Sequence, residues 1–319
     1  MRTLIPILLV TMFVAPAAAS TFGGPLQVRN QFPLYLGMNP PYLEQAVVED
    51  SVSTVLQYSS TYVTQSNTAW TVNMDLELAE FDLRLKKKVG ERTEMGLDIP
   101  IIRPSEGFLD RPLETWHDFV GMGDYGRHER PYNEFLYEVW YQGQPVIMGV
   151  SDRTGLGDLR LTVKQQVRDT GPAVSILVNA ELPTGDARTG YGNGSWDFGA
   201  AVLMDLTLGE RYRGYACAGA VVPGDLRAYQ TIPLRTFGYG AFGVEAAWWE
   251  RFHVIVQVLA STSPFPETGI REVDWPTALL TFGGRYTFGR SAIEFSLTED
   301  PTTASTPDFI ATMAWRTRF

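Results

Sequence analysis

Trp315-Arg316-Thr317-Arg318-Phe319 closes the chain, and behind it Phe309, Ala311, Met313, Trp315, Thr317 and Phe319 alternate along one face of a strand. Successive strand residues point to opposite sides. The opposite face therefore holds Thr312, Ala314, Arg316 and Arg318. A terminal aromatic that ends such a strand is the usual ending of a bacterial outer-membrane β-barrel. A soluble strand can also finish on Phe, so the rest of the chain must discriminate.

The opposite end carries an export signal. Arg2 is the charge of a short leading region, Leu4 to Val14 an apolar core, and Ala17-Ala18-Ala19 a small-residue cleavage site before Ser20. The apolar run is about eleven residues, short of the about twenty that a membrane helix needs. Residues 1–19 are expected to be a cleaved signal peptide. No Cys stands at the cleavage site, which argues against a lipid anchor there. The single Cys217 has no partner for an internal disulfide, and beside Ala216, Ala218 and Gly219 it reads as a small packing residue.

Acidic residues outnumber basic ones 36 to 26, a formal net charge of −10 that loss of Arg2 deepens by one. That balance excludes a nucleic-acid partner, which rewards clustered Lys and Arg. Mean hydropathy is only −0.08 although 45% of residues are hydrophobic. A membrane barrel combines these properties, because alternating lipid-facing and interior residues dilute the apparent hydropathy. A secreted β-sandwich shares them too.

Strand length and spacing separate the two. Val174, Ile176, Val178, Ala180 and Leu182 oppose Asn179 and Glu181; Phe198, Ala200, Val202, Met204 and Leu206 oppose Asp197 and Asp205; Val254, Val256 and Val258 oppose His253 and Gln257. This period of two predicts strands near 52–63, 78–88, 92–102, 156–168, 172–183, 195–208, 211–222, 235–248, 251–262, 276–288, 290–299 and 308–319. Most exceed the about five or six residues of a soluble strand and match the about nine to eleven of a tilted membrane strand. Every second connection is tight, as at Val89-Gly90-Glu91, Asp169-Thr170-Gly171 and Gly289, whereas 103–155, 184–194, 223–234, 263–275 and 300–307 are long. Short periplasmic turns facing long external loops define an outer-membrane barrel. The expected fold is thus all-β, a transmembrane antiparallel barrel over 47–319 with twelve strands. It has fourteen if 64–80, where Trp70, Val72, Met74, Leu76 and Leu78 alternate, forms strands of its own rather than extending the first external hairpin. Trp196, Trp248, Phe252, Tyr286, Phe288, Trp315 and Phe319 fall near strand ends, where aromatic girdles sit.

Several stretches resemble an uncharacterised bacterial family known as domain of unknown function 3187. They are Phe22-Gly23-Gly24-Pro25-Leu26-Gln27-Val28-Arg29-Asn30-Gln31-Phe32-Pro33-Leu34, Gly155-Leu156-Gly157-Asp158-Leu159-Arg160, Leu182-Pro183-Thr184-Gly185-Asp186 and Leu297-Thr298-Glu299-Asp300-Pro301. The Gly-Leu-Gly-Asp and Leu-Pro-Thr-Gly-Asp stretches are also similar to outer-membrane transporters of the phenol meta-pathway type. The resemblance spans the mature chain and implies a barrel with a transport role, without supplying a substrate or a catalytic residue.

The interior face then carries Arg84, Lys86, Asp98, Asp158, Arg160, Lys164, Glu181, Asp197, Asp205, Glu245, Arg285, Glu294, Arg316 and Arg318, with acids and bases nearly balanced. These are the candidate lumen-lining residues. As rings of charge they would select solutes in a wet channel; as ion pairs they would close the barrel. Barrels of about eight strands fill with side chains and those of about sixteen leave a channel, so twelve points to partial opening. In the loop 103–155, Leu109, Leu113, Trp116 and Val120 recur at helical spacing. Leu109, Leu113, Trp116 and His117 form a candidate constriction at the mouth, the alternative being a surface helix that packs on neighbouring loops. Residues 20–46, rich in Pro and without strand period, are expected in the periplasm or in the lumen.

Catalysis is not expected. His117-Asp118 and His128-Glu129 are sequence neighbours that face apart, and no Gly-x-Ser-x-Gly, His-Glu-x-x-His or Cys pair occurs. The glycines of 155–157 and 190–194 are turn chemistry rather than a phosphate cradle, and no cofactor is implied. The expected role is a porin-like channel that passes small solutes by passive diffusion, the alternative a closed barrel for adhesion, envelope structure or loop-mediated binding. Expected partners are outer-membrane lipid, lipopolysaccharide, small solutes and, through the strand ending in Phe319, the barrel-assembly machinery.

Overall fold

In hydrocarbon no water satisfies a strand edge, so strands can span a membrane only by closing on themselves. The chain meets that requirement with twelve strands. The computed structural model describes residues 23–38, 40–113, 115, 131–302 and 304–319; the expected signal peptide lies outside the described residues. The barrel strands are β1 (Ser51–Ser66), β2 (Trp70–Lys88), β3 (Thr93–Ser105), β4 (Leu159–Arg168), β5 (Ala173–Leu182), β6 (Asp197–Thr207), β7 (Tyr212–Val222), β8 (Phe237–Ala247), β9 (Phe252–Ser261), β10 (Thr277–Phe288), β11 (Ser291–Glu299) and β12 (Phe309–Arg318). Each pairs antiparallel with its sequence neighbour. β1 closes the ring on β12, with Ser51 opposite Arg318 and Ser60 opposite Phe309.

The tight turns sit at one end, the periplasmic one in this architecture. Gly90 (φ +95°) and Gly289 (φ +59°) take the left-handed conformations that such turns require. β2 is longer than expected, with 19 residues. Its first half follows a turn in which the Asn67 carboxamide oxygen accepts the Ala69 and Trp70 amides at 2.9 Å. It pairs with β1 up to Ser66 opposite Thr71. The 64–80 alternation therefore extends the first external hairpin, and the barrel has twelve strands rather than fourteen. An external hairpin, Leu136–Tyr141 with Gln144–Met148, adds to the same edge through Trp70–Asp75.

β3 contains Pro100 well inside its length, where a proline has no amide for the ladder. There β3 changes partner: Thr93–Asp98 pair with β4, whereas Ile101 and Ile102 pair with Leu156 and Gly155. Pro100 contributes its carbonyl, which accepts the Gly157 amide at 2.9 Å.

Burial is inverted relative to a soluble protein. Phe198, Phe295 and Met313 are 55–56% exposed, whereas Lys164, Glu181, Asp197 and Glu245 are wholly buried. The exposed apolar faces form the lipid belt. Its short-turn rim carries Trp249 against Phe252 at 5.7 Å and Phe288 edge-on to Trp315 at 5.4 Å; Trp196 stacks on Phe198 at the other rim. The fold and this belt place the protein in the outer membrane, in contact with its lipid.

Phe282→Arg, in the middle of β10, is expected to destabilise the refolded barrel by about 2–4 kcal/mol, the depth-dependent cost of a lipid-facing cation. Tyr229→Arg, equally exposed but in an external hairpin, should stay within about 0.5 kcal/mol. Urea unfolding in lipid vesicles measures both.

Candidate functional site

Charges withdrawn from water need partners, and the strands alone do not supply them all. The missing partners come from residues 23–49, which run up the lumen from the short-turn end and return. Nearly all of this segment is buried. Its lack of strand period, with Pro25, Pro33, Pro40 and Pro41 removing backbone donors, leaves its other amides and carbonyls free to bond to the wall.

Glu245 on β8 anchors the start. Its carboxylate accepts the Gly23 amide at 3.1 Å, the Gly24 amide at 3.2 Å and the Tyr215 hydroxyl at 2.6 Å. The same carboxylate lies 2.6 Å from His253 Nδ1 and 2.7 Å from Arg285. Arg285 also donates to Glu294 at 2.9 Å and to the Gly24 and Pro25 carbonyls at 2.6 and 3.1 Å. Arg316 and Arg318 donate to the Gly23 carbonyl at 2.9 and 2.6 Å. Arg316 pairs in addition with Glu294, and Arg318 with Glu49 at 2.7 Å.

A second network holds the middle and the return. Arg29 pairs with Glu80 at 2.6 Å. Arg84 donates to Asp98 at 3.0 Å, to Gln27 at 2.9 Å and to Glu44, and its guanidinium lies 3.8 Å over the Tyr42 ring. Lys86 pairs with Glu44 and stands 3.5 Å from Glu49. Lys164 meets Glu94 at 3.0 Å and the Gln45 and Val47 carbonyls at 3.1 Å. Asp205 accepts the Ala46 amide at 2.8 Å.

The external end is apolar. Phe32, Leu34, Tyr35 and Met38 pack with Val72 and Met74 of the β2 extension and with Val146, Ile232, Phe265 and Val273 of the loops. The Tyr35 hydroxyl reaches Ser263 at 3.1 Å and the Val273 carbonyl at 3.2 Å.

All fourteen candidate lumen residues lie on the interior side, and they divide into groups. Arg84, Lys86, Asp98, Lys164, Asp205, Glu245, Arg285, Glu294, Arg316 and Arg318 belong to the networks around the segment. Arg160 pairs with Glu181 beside the Pro40 carbonyl. Asp158 and Asp197 secure external loops: Asp158 accepts the Gly185 and Asn193 amides at 2.8 and 3.0 Å, and Asp197 the Gly224 amide at 2.7 Å. Burial pushes the Asp158 carboxyl up to about 7 even though those amides pull it down. Arg29, Tyr42, Glu44 and Glu49 escaped the sequence reading because they lie outside any alternating strand. Their signal was charge in an otherwise apolar, Pro-rich stretch.

The candidate constriction fares differently. The Phe108 and Leu109 amides bond to Glu77, which stands on the outward face of β2, and Phe108 stacks on Tyr58 at 5.7 Å. Leu109 thus turns over the outside of the wall rather than into the mouth, because the buried Glu77 carboxylate needs those amides. Leu113 is buried and bonds back to the Leu109 carbonyl at 2.8 Å. Trp116 and His117 lie outside the described residues.

Space opens at the short-turn mouth. A cavity of about 540 Å³ is lined by Glu49, Ala173, Asp205, Arg213, Tyr215 and Arg318, among others. A second, of about 270 Å³, lies against Gly23, Arg285, Arg290 and Arg316. Among the described residues no group of three or more His, Cys, Asp or Glu is placed to hold a metal ion.

The family model described as Protein of unknown function (DUF3187) matches residues 3–319. No curated protein matches the sequence. Among solved structures, the COG4313 outer membrane channel from Pseudomonas putida F1 aligns with a TM-score of 0.58 at 15% identity, covering 88% of this chain and 99% of that one. Weaker likenesses are the NanC porin (TM-score 0.47, 7% identity, 85% and 100% covered) and the P. putida toluene transporter TodX (0.42, 10%, 91% and 93%). At such identities the first likeness establishes the fold.

Arg285→Ala would strip two buried carboxylates and two carbonyls of a shared donor. The expected loss is about 3–5 kcal/mol, as for other broken buried pairs. Arg92→Ala, which removes an exposed pair with Asp169, should cost about 0–1 kcal/mol. Urea midpoints of the two variants give the comparison.

Proposed function

The chain belongs to the family described as Protein of unknown function (DUF3187), and from its geometry we propose that it is an outer-membrane channel passing small solutes by passive diffusion, gated by residues 23–49. The observation that carries this is the way the lumen is filled. The filling is a strap held by side chains at one end and apolar contacts at the other, not a core woven into the wall. Its Gly23 end and its attachment to β1 both lie at the short-turn mouth, since Arg318 touches Gly23 and Glu49 together. The barrel is closed by its own strand ladder without the strap, so displacement opens a path and leaves the wall intact. The fold shared with an outer-membrane channel supports the same role, and no step of it calls for catalysis. The exposed Phe319 at the end of β12 fits recognition by the barrel-assembly machinery. The external loops would face lipopolysaccharide.

A closed barrel with a structural or adhesive role is the second reading. The apolar packing of Phe32, Leu34, Tyr35 and Met38 across the external end favours it.

Conductance of the refolded protein in a planar bilayer decides between them. The full chain should show brief openings, and a chain lacking residues 23–46 should conduct steadily. A folded deletion variant that stays silent overturns the channel and leaves the closed barrel. In the full chain, Glu44→Gln with Glu49→Gln should raise the open fraction at least about tenfold, given the cost of a broken buried pair. Arg316→Glu with Arg318→Glu should shift the open state toward cations, as charge rings do.

A further inference from the structure

The strap does not hold all sides of the wall alike. Toward β1–β3 it makes the ion pairs of Arg29, Glu44 and Glu49; toward β8–β12 it bonds to Glu245, Arg285 and Arg316. Among the described residues, its polar contacts toward β4–β7 and the adjoining part of β8 lie near the two ends. Gly24 bonds to Tyr215 and Ala46 to Asp205 and Ser175 near the short-turn mouth, and the Pro40 carbonyl to Arg160 of β4 near the outer rim. Between them Leu43 packs in one apolar cluster with Leu177, Ala201, Leu203 and Cys217.

That part of the wall is also thin on its inner face. Gly199, Ala201, Cys217, Gly219, Ala241 and Gly243 point inward from β6, β7 and β8. Over two of these glycines lie polar side chains. A Cβ on Gly199 would stand 2.4 Å from the Asn179 amide oxygen, and one on Gly219 2.8 Å from Tyr239 Cζ. Asn179 is 5% exposed, yet neither its amide oxygen nor its nitrogen has a hydrogen-bond partner among the described residues. The same holds for the Tyr239 hydroxyl and one oxygen of Glu181. Buried polar atoms are nearly always satisfied, and those left over call for a further partner. The cavity of about 540 Å³ opens below this face, against Ala173, Asp205 and Tyr215.

We propose that solute passes between the strap and the β5–β8 wall, and that Asn179 and Tyr239 form a binding station on that route for a small neutral amphiphile. The station supplies one carboxamide donor, one carboxamide acceptor and a phenol, which suits a hydroxyl- or carbonyl-bearing end. The seam of Leu43, Leu177, Leu203 and Cys217 suits an apolar body. An anion would lose its hydration there without gaining a counter-ion, since the unpaired oxygen beside Asn179 belongs to Glu181. The strap can stay seated on its ion-paired side while the apolar side yields. This route rests on the channel role proposed above.

Cys217, the only cysteine, is a native reporter in the seam. Its thiolate attacks methyl methanethiosulfonate, forming a methyl disulfide as methanesulfinate leaves. In the folded full chain we expect this neutral reagent to label Cys217 at least tenfold faster than the sulfonatoethyl analogue, read by mass. Pentan-1-ol should slow the labelling, and labelled channels should conduct less. Asn179→Leu with Tyr239→Phe should leave the labelling rate and remove the protection by alcohol. In a Cys217→Ala background, Ser296→Cys on the opposite, strap-bonded wall should remain unlabelled. An inert Cys217 in a conducting channel, or equal labelling of Ser296→Cys, overturns the route. Protection that survives Asn179→Leu with Tyr239→Phe overturns the station. Absence of any conductance would count against the channel, whereas labelling by mass still tests the seam by itself.

Discussion

One guanidinium, that of Arg285, touches two carboxylates on different strands and two carbonyls of the strap at once. The rest of the interior follows from the constraint it satisfies. A ring of twelve strands encloses more polar surface than its own side chains can pair, and charge inside such a ring cannot be left alone. The strap is the solution. It brings Glu44 and Glu49 to cations at the short-turn end, Arg29 to Glu80, and a run of backbone amides to Glu245, Asp205 and Glu94. Wall and strap are therefore one electrostatic unit, reinforced by apolar contacts at Leu26, Phe32–Met38 and Leu43.

The same constraint divides the lumen by height. Close to the short-turn mouth, where water enters, the contacts are ionic. Toward the external end they give way to Phe32, Tyr35 and Met38 against loop residues. Outside, the belt of Phe198, Phe282 and Met313 takes its stability from lipid and not from a protein core. The charged residues lie within and a continuous apolar belt without; the largest hydrophobic cluster joins the strap to the external loops, and smaller ones line the inner wall.

Legibility in the sequence tracked this division. The strands were plain because a lipid face and an interior face enforce a strict period of two; most observed boundaries fall within about three residues of those expected from that period. The exception, β2, was extended outside the membrane, where nothing but pairing with β1 and the Leu136–Tyr141 strand sets its length. The interior residues were legible as a face, but not their partners. Nothing in Pro40-Pro41-Tyr42-Leu43-Glu44 announces that Tyr42 will lie under Arg84 or that Glu44 will meet Lys86. The spacing of Leu109 and Leu113 was helical, and one helical bond forms between them. Its direction, over the outer wall, depends on Glu77, which belongs to a distant strand.

The strap rises and returns, with both of its ends at one mouth. A pull on its Gly23 end from that side loads the contacts of Gly23 and Gly24 first, then those of Leu26 and Gln27, before it reaches the Phe32–Met38 bend. The bonds are thus strained in series, like a zipper rather than a cork. Seated, the strap is held by the sum of its contacts; under tension each step must break only one or two of them. Such an arrangement resists a uniform push from outside and yields to a modest tug from within the periplasm.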